Sequence, residues 1–508
     1  MSTGLIIGVL VSYFIVLILI SYFTSKNSNS LTFFNGNKQS PWYLVAFGMI
    51  GASLSGVTFI SVPGKILGES MAYFQIVLGY VLGYVVIAIV LMPIYYNLKI
   101  VSIYQYLEDR FGTISYKTGA AYFILSRTLG SAIRLYLATF VLQLFLFEDL
   151  GVPYWLTALT TVLLIWVYTF RGGIKTIVYT DTFQTFFLVS AVIICTITIA
   201  NSIDVNFLEL FNRIKETKSI KGDSMTKIFF FEDYKSNLFF PKQFLGGVFL
   251  AIAMTGLDQD LMQKNLTCRS LKDAQKNMYS FTTVLVFVNF LFLTLGGALY
   301  VFSEVKGVDL PMINGSVVTD HVFPTLALGS FGTIAGVFFL LGITASSYAS
   351  ADSALAALTT GFCIDFLNFD KRKEEDKKRY RILVHIGFSL LFLVIILMTR
   401  DYIVKNPDSD IIGAILTIAG YTYGPLLGLF SFGIFSKRKL KEIYVPIVCI
   451  VSPLICYLIS LNSVKFLNGY VFSHELLILN GILTFGGLYV ISIKEKNKII
   501  ADEYSIKR

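Results

Sequence analysis

The sequence predicts an all-α integral membrane protein with about thirteen transmembrane helices. Of its 508 residues, 55% are hydrophobic and only 14% are charged, whereas soluble domains carry roughly 25% charged residues. The hydrophobic residues also form blocks of about 17 to 30 residues, and a helix needs roughly 20 to cross the ~30 Å hydrocarbon core of a bilayer. We therefore expect the lipid bilayer to surround most of the chain.

The predicted helices follow one another with short polar connections. The first block, 5–23, lacks the basic start and the small-residue cleavage site of a signal peptide, so we interpret it as a retained helix. The other blocks are 42–62, 72–96, 116–147, 152–168, 180–200, 244–264, 278–302, 332–360, 382–398, 411–435, 445–461 and 476–493. The segment 496–508 is predicted to be a cytoplasmic tail.

Lysine and arginine residues favour one orientation. With the N-terminus outside, most of them lie in inner segments, including the cluster DKRKEEDKKRYR at 370–381, as the positive-inside rule requires. Basic residues that face an anionic inner leaflet also explain the net charge of +9, so no nucleic-acid partner is expected. The five cysteines show no CxxC spacing, and neither a disulfide framework nor a zinc site is predicted.

Two apolar blocks are interrupted near their middle. In FGMIGASLSGVTFISVPG (47–64) the interruption consists of glycines with Ser53, Ser55 and Thr58, and in GGVFLAIAMTGLDQDLMQK (246–264) it consists of Thr255, Gly256 and Asp258. Unwound backbone inside a membrane is tolerated only where it lines a cavity or is buried in protein, so paired interruptions indicate a transporter binding site between two inverted repeats. Packing of helices through small residues is the alternative.

Two further features indicate a cation site. In GITASSYASADSALAALTTGFCID (342–365), Ser346, Ser350 and Ser353 share one helical face, with Ser347 alongside. Neutral oxygens suit a hard cation, although serines also hold helices together. Asp181 lies within an apolar block, where a carboxylate costs roughly 2.5 to 3.5 kcal/mol. It is predicted either to bind an ion or proton, or to pair with a loop cation such as Arg171 or Lys175.

Four segments in this order resemble the sodium:solute symporter family: GASLSGVTFISVPG, YTFRGGIKTIVYTDTFQ, GLDQDLMQKNLTCRSLKDAQKN and SSYASADSALAALTTGFCIDF. The resemblance covers residues 1–495 and implies one transmembrane domain with the LeuT-type fold. It implies a leading helix at 5–23, inverted repeats at 42–200 and 244–435, and trailing helices at 445–493. It also implies import of a small polar solute with Na⁺, no other cofactor, no obligate protein partner, and a plasma membrane location, of the bacterial inner-membrane kind.

The resemblance places two sodium sites. The family's principal site matches Gly51, Leu54, Ile343, Ser346 and Ser347, where freed carbonyls and hydroxyls replace water around Na⁺ without burying a net charge. A second sodium, present in some members, matches Asp181, Ser346 and Ser350. This chain departs from that second pattern at Ala349, where those members offer another oxygen.

The resemblance also implies a set of substrate-binding residues. Similarity to the sialic-acid-transporting members selects Ser53, Ser55, Thr58, Gln75 and Arg134, and Asp258 stands where sugar-transporting members carry asparagine. Arg134 is predicted to bind a substrate carboxylate at two points; the alternative is a pair with Asp352, Asp258 or another internal acid. The predicted substrate is a carboxylate-bearing sugar such as sialic acid, and a neutral sugar, polyol or amino acid is the alternative.

The sequence favours a transporter over an enzyme or a channel. The three histidines, His321, His385 and His474, are scattered, and neither HExxH nor G-x-S-x-G occurs in the chain. An intramembrane enzyme stays a remote alternative. No repeat typical of an ion-selectivity filter is found.

Overall fold

The structure is a computed structural model that describes residues 3–26, 30–148, 150–170, 173–313, 315–367, 369, 372–406 and 411–494. Helices account for most of these residues, which confirms the predicted all-α class. The strands of the described part form two short ribbons, in which Met312–Ile313 pairs with Ser316–Val317 and Lys439–Leu440 pairs with Ser492–Ile493. The predicted cytoplasmic tail, 496–508, lies outside the described residues.

The helices are labelled in chain order. They are α1 (Thr3–Thr24), α2 (Ser30–Asn35), α3 (Trp42–Ser53), α4 (Gly56–Gly64), α5 (Ile66–Glu69), α6 (Tyr73–Val86), α7 (Met92–Leu98), α8 (Gln105–Phe111), α9 (Thr113–Leu142), α10 (Tyr154–Thr169), α11 (Gly173–Ser202), α12 (Phe207–Glu216), α13 (Phe240–Ala251), α14 (Gln259–Leu266), α15 (Leu271–Lys306), α16 (Thr319–Gly329), α17 (Gly332–Gly361), α18 (Glu374–Lys405), α19 (Ile411–Phe435), α20 (Val445–Phe466) and α21 (Leu476–Ile491). Single π-helical turns extend α6, α9, α13 and α17 at Ile87–Leu91, Gln143–Phe147, Ile252–Gly256 and Phe362–Phe366.

Many of these helices have the length and composition of membrane spans. Within the described ranges, eight helices or continuous helical runs are long and apolar enough to cross a bilayer, and the number rises to ten if each of two bent helix pairs is one span. Two shorter apolar helices lie at Tyr154–Thr169 and Leu476–Ile491. The chain is therefore a multi-pass membrane protein. The count of thirteen spans and the division into two repeats stay predictions.

Both predicted interruptions are confirmed as sharp bends. The axes of α3 and α4 differ by 59°, and those of Phe240–Gly256 and α14 by 64°. At the first bend, Leu54 leaves the helical region with φ −88° and ψ 81°. At the second bend, Asp258 is extended and caps α14, because its carboxylate accepts the Asp260 N–H at 2.9 Å. The bends therefore arise where small and capping residues interrupt the apolar sequence.

Small residues bring the central helices into close contact. A Cβ added at Gly51 of α3 would lie 2.5 Å from Thr185 Oγ1 of α11. A Cβ added at Gly342 of α17 would lie 2.6 Å from the Cβ of Ala191, which is also on α11. Helix α11 therefore packs along both α3 and α17, as small residues allow in membrane bundles. This packing places the interruption of α3 beside the serine-rich part of α17.

Gly79 of α6 provides a test of the packing between α6 and α13. A Cβ added there would overlap the carbonyl oxygen of Phe244 and lie 2.9 Å from the backbone nitrogen of Val248. Because the two backbones would be forced apart, Gly79→Ala should destabilise the protein by about 1–3 kcal/mol. The expected result is a lower melting temperature in detergent. Gly387→Ala on α18, where the added Cβ meets open space, is the matched control, and equal melting temperatures for the two variants would contradict the packing.

Candidate functional site

The first interruption leaves backbone carbonyls without helical partners. Helix α3 ends at Ser53, so the carbonyls of its last turn, including that of Gly51, lack the donors that a continuing helix would supply. The Leu54 N–H still donates to the Ile50 carbonyl at 2.8 Å. Ser55 is extended, and its side chain does not cap α4. Carbonyl oxygens of this segment are therefore free to bind a ligand inside the protein.

Hydroxyl groups of α17 lie at the same place. Gly56 approaches α17 so closely that an added Cβ would overlap Ser347 Oγ. This hydroxyl is fully buried and has no hydrogen-bond partner among the described residues. Leaving it unpaired costs about 1–3 kcal/mol, and a dehydrated cation would supply the missing contact. The structure thus brings Ser347 to the interruption, whereas the full sodium-ligand set (Gly51, Leu54, Ile343, Ser346, Ser347) stays a prediction.

Asp181 of α11 is paired with a lysine. The ammonium of Lys264, on α14, lies 2.5 Å from Asp181 Oδ2, and the two side chains are 1% and 0% exposed. A salt bridge was one of the two roles predicted for Asp181, but the partner is Lys264 and not Lys175. Arg171, the other cation considered, lies outside the described residues. The carboxylate is therefore neutralised within the protein.

The other residues predicted to bind a second Na⁺ lie on α17. Ser346 donates its hydroxyl to the Ile343 carbonyl, and Ser350 donates its hydroxyl to the Ser347 carbonyl, both at 3.1 Å. Both hydroxyls therefore already make hydrogen bonds within their own helix. Ala349 packs toward Gly51, and its Cβ would lie 3.6 Å from a Cβ added there. A second sodium at Asp181 stays a prediction.

A cavity of about 100 Å³ lies beside the first interruption. Its lining includes the three hydroxyl residues predicted to contact substrate, Ser53, Ser55 and Thr58. Three tyrosines of α6 form another wall, namely Tyr73, Tyr80 and Tyr84. A second cavity shares Tyr73 and Leu416 with it and reaches the loop residues 471–474 at the predicted outer end of the bundle. The site therefore opens toward that end.

Arg134 lines the cavity and interacts with Asp258 electrostatically, without direct contact. It makes no ion pair and no hydrogen bond with any described residue, although it lies among the lining residues. The acids considered as its partners are engaged elsewhere, since Asp258 lies 3.8 Å from Arg127 and Asp352 accepts the Tyr168 hydroxyl at 2.8 Å. The guanidinium of Arg134 is therefore available to an anionic ligand.

A buried cluster, here called the Arg127 cluster, joins four helices below the cavity. Arg127 of α9 pairs with Asp260 and lies near Asp258, both around the start of α14. Tyr423 of α19 donates its hydroxyl to Asp258, and Ser353 of α17 donates its hydroxyl to Asp260. Arg127 lies about 10.5 Å along α9 from Arg134, toward the predicted inner end. The cluster therefore closes the cavity on the inner side.

Two residues predicted to contact substrate do not line this cavity. Asp258 belongs to the Arg127 cluster. Gln75 is turned toward the outer loop, where its amide donates to the Leu238 carbonyl at 3.0 Å and accepts the Phe230 N–H at 3.3 Å. Residues two positions apart on a helix point in nearly opposite directions, so Gln75 faces away from the cavity that Tyr73 lines. Gln75 therefore contacts the loop in this structure, and its role in substrate binding stays a prediction.

The second interruption is closed by tyrosines. The Gly256 carbonyl accepts the Tyr95 hydroxyl, and the Leu257 carbonyl accepts the Tyr104 hydroxyl, each at 2.9 Å. The sequence does not predict these contacts, because about 150 residues separate donor from acceptor and a tyrosine in an apolar block gives no sign of its partner. The sequence does indicate that Asp260 and Lys264 have a role, because their charges lie inside an apolar block.

Comparisons with known proteins bear on the family and the fold. The model of the sodium:solute symporter family matches residues 33–442. The chain is 25% identical to the sodium/sialic acid symporter SiaT of Proteus mirabilis (85% of this chain, 84% of the relative) and 24% identical to the sodium/sialic acid symporter NanT of Aliivibrio fischeri (82% and 80%). Its fold matches a solved substrate-bound, outward-open structure of a Na⁺-coupled sialic acid symporter with a TM-score of 0.79 at 20% identity, over 96% of this chain and 97% of that one.

The pair between Arg127 and Asp260 generates a stability prediction. Breaking a buried ion pair costs about 3–5 kcal/mol, so Arg127→Met and Asp260→Asn should each lower the melting temperature, and Asp260→Asn should do so less because Asp258 still lies 3.8 Å from Arg127. The double variant removes both charges and should lose much less than the sum of the single losses. A double-mutant cycle of melting measurements in detergent tests the pair. Additive losses would show that the two side chains do not interact.

Proposed function

The chain belongs to the sodium:solute symporter family, and from this premise we propose that it couples the entry of Na⁺ to the uptake of a carboxylate-bearing sugar, with sialic acids as the substrate class. The solute is imported across a plasma membrane of the bacterial inner-membrane kind, with the N-terminus outside and the C-terminus in the cytoplasm. The protein acts as a transporter and not as an enzyme, and Na⁺ is its co-transported ion.

The unpaired guanidinium of Arg134 carries the proposed substrate class. A charge within a membrane helix costs about 2.5–3.5 kcal/mol on insertion scales, and an anionic solute in the cavity would offset that cost. A carboxylate fits because its two oxygens accept two parallel N–H bonds from a guanidinium. The names of the relatives SiaT and NanT, both sodium/sialic acid symporters, support the same class.

The remaining walls of the cavity suit the rest of a sugar acid. Ser53, Ser55 and Thr58 offer hydroxyl donors and acceptors to a polyhydroxylated ligand, while the α6 tyrosines offer apolar ring surface with a polar tip. At about 100 Å³ the cavity has room for several water molecules. Side chains must therefore move apart as a sugar acid enters, and the polar groups exchange water for substrate hydroxyls.

Sodium and substrate would act on the same interrupted segment. The proposed sodium ligands Gly51 and Leu54 flank Ser53, which lines the cavity. A bound Na⁺ would hold the segment in the conformation that presents Ser53 and Ser55 to the substrate. Such coupling is reciprocal, so the substrate must also strengthen Na⁺ binding by the same factor.

Sodium dependence of uptake tests the proposed ion site. Proteoliposomes should accumulate N-acetylneuraminic acid under an inward Na⁺ gradient and fail to do so when K⁺ replaces Na⁺. Ser347→Ala removes one buried oxygen ligand, so the Na⁺ concentration for half-maximal uptake should rise roughly tenfold. Ser452→Ala on α20, whose hydroxyl bonds the Val448 carbonyl of its own helix, is the control and should leave that concentration unchanged.

Two outcomes would contradict this site. Equal uptake in K⁺ at a fixed proton gradient would refute sodium coupling. An unchanged sodium dependence for Ser347→Ala, in protein with a normal melting temperature, would show that Ser347 is not a ligand.

Arg134→Lys tests the carboxylate contact. A lysine keeps the charge but cannot make the planar two-point contact, so the affinity for N-acetylneuraminic acid should fall by about tenfold or more. The affinity for its methyl ester, which lacks the negative charge, should change little. Binding of acid and ester to purified wild type and variant, measured by calorimetry in Na⁺, gives both values.

The control is Arg213→Lys on α12, in the loop outside the predicted spans, which should bind acid and ester as wild type does. Equal losses for acid and ester in Arg134→Lys would remove the carboxylate contact and favour a neutral sugar as substrate.

A further inference from the structure

The pair between Lys264 and Asp181 is the least exposed ion pair in the described part of the chain. The two side chains are 1% and 0% exposed, and the Nζ to Oδ2 distance is 2.5 Å. Burying both charges has a large desolvation cost that only a close, well-oriented contact offsets. Removing either partner would leave one uncompensated buried charge. A buried ion pair that joins two of the central helices at this desolvation cost points to a role in the transport cycle.

Helix α14 holds the lysine rigidly in place. On one side of Lys264, the Gln263 amide donates to Thr360 Oγ1 of α17 at 3.0 Å. On the other side, Asn265 accepts the side-chain amide of Asn277 of α15 at 2.5 Å. One turn earlier, Asp260 accepts the Ser353 hydroxyl. Because both neighbours are bonded to other helices, the lysine ammonium is directed at Asp181 and not free to turn elsewhere.

The surroundings of Asp181 offer little to a second metal cation. Ala349 contributes no oxygen where another ligand would be needed. A Na⁺ beside Asp181 would also lie close to the Lys264 ammonium, and two like charges repel strongly in a dry interior. The lysine therefore takes the position in which a free cation would neutralise the carboxylate.

A second acid completes the charge pattern. Asp352 of α17 interacts electrostatically with both Lys264 and Asp181, and it accepts the Tyr168 hydroxyl at 2.8 Å. One oxygen of each acid, Oδ1, has no hydrogen-bond partner among the described residues. Lys264 thus interacts with both acids, and its loss would take this positive charge from two buried carboxyl groups.

We propose that Lys264 is a built-in cation that takes the place of a second Na⁺, so that each transport cycle carries one Na⁺ through the site at the first interruption. This inference rests on the proposed sodium symport and sets its stoichiometry. Lys264 is therefore a positioning residue that determines the number of coupled ions. Among the described residues, Lys264 is not one of those that line the proposed substrate cavity.

The experiment counts Na⁺ ions in two ways. In proteoliposomes, the ratio of labelled Na⁺ influx to N-acetylneuraminic acid influx should be one in the wild type and two in Lys264→Gln, because the buried carboxylates that lose their lysine draw in a Na⁺. Without substrate, the Na⁺ dependence of the melting temperature of purified protein should fit one site in the wild type and two in Lys264→Gln. Choline replaces Na⁺ to keep the ionic strength constant.

The matched control is the double variant Asp181→Asn/Lys264→Gln. It removes both charges of the pair, so both ratio and site number should return to one. A wild-type ratio of two would overturn the inference, as would a ratio of one in folded Lys264→Gln. If Lys264→Gln does not fold, the wild-type ratio and the ratio of the double variant test the inference. Absence of any Na⁺-driven uptake would contradict the proposed function instead, and the substrate-free titration would still count the cations.

Discussion

The interruption between α3 and α4 is the constraint on which the rest of the site depends. A helix that stops inside a membrane leaves carbonyls that lipid cannot satisfy, so protein or ligand must do so. The two interruptions differ in the partners of their free carbonyls. Tyr95 and Tyr104 donate hydroxyls to the carbonyls of the second interruption. The first one instead faces the unpaired hydroxyl of Ser347, which leaves a polar space between backbone and α17.

The buried cations also differ in whether they form a direct ion pair. Arg127 is matched with Asp260 and Asp258 at the inner side of the cavity, and Lys264 is matched with Asp181. Arg134 makes no direct ion pair with a described residue, although it lies on the same helix as Arg127 and feels the charge of Asp258 at longer range. Arg127 and Lys264 thus stabilise contacts between helices through direct ion pairs, and Arg134 lines the cavity without one. This distribution explains how the protein can tolerate several charges in its interior and still reserve one for a ligand.

Local features of the fold were predictable, and long-range pairing was not. The bends follow from glycine and hydroxyl residues within a few positions of Ser53 and Gly256, and the hydroxyl face of α17 follows from helical periodicity. The partner of Asp181 could not be predicted, since Lys264 lies 83 residues away and several basic residues competed for that role. The loop contacts of Gln75 could not be predicted for the same reason, since Leu238 and Phe230 lie 163 and 155 residues away.

The central claim is that Na⁺ and the substrate bind on either side of one interrupted segment and strengthen each other there. The most direct measurement is the affinity of the purified protein for N-acetylneuraminic acid at a series of Na⁺ concentrations, with choline holding the ionic strength constant. We expect the substrate Kd to fall as Na⁺ rises and to level off when the sodium site is filled, with substrate tightening Na⁺ binding by the same factor. A Kd that is the same in Na⁺ and in choline would contradict coupling through this segment.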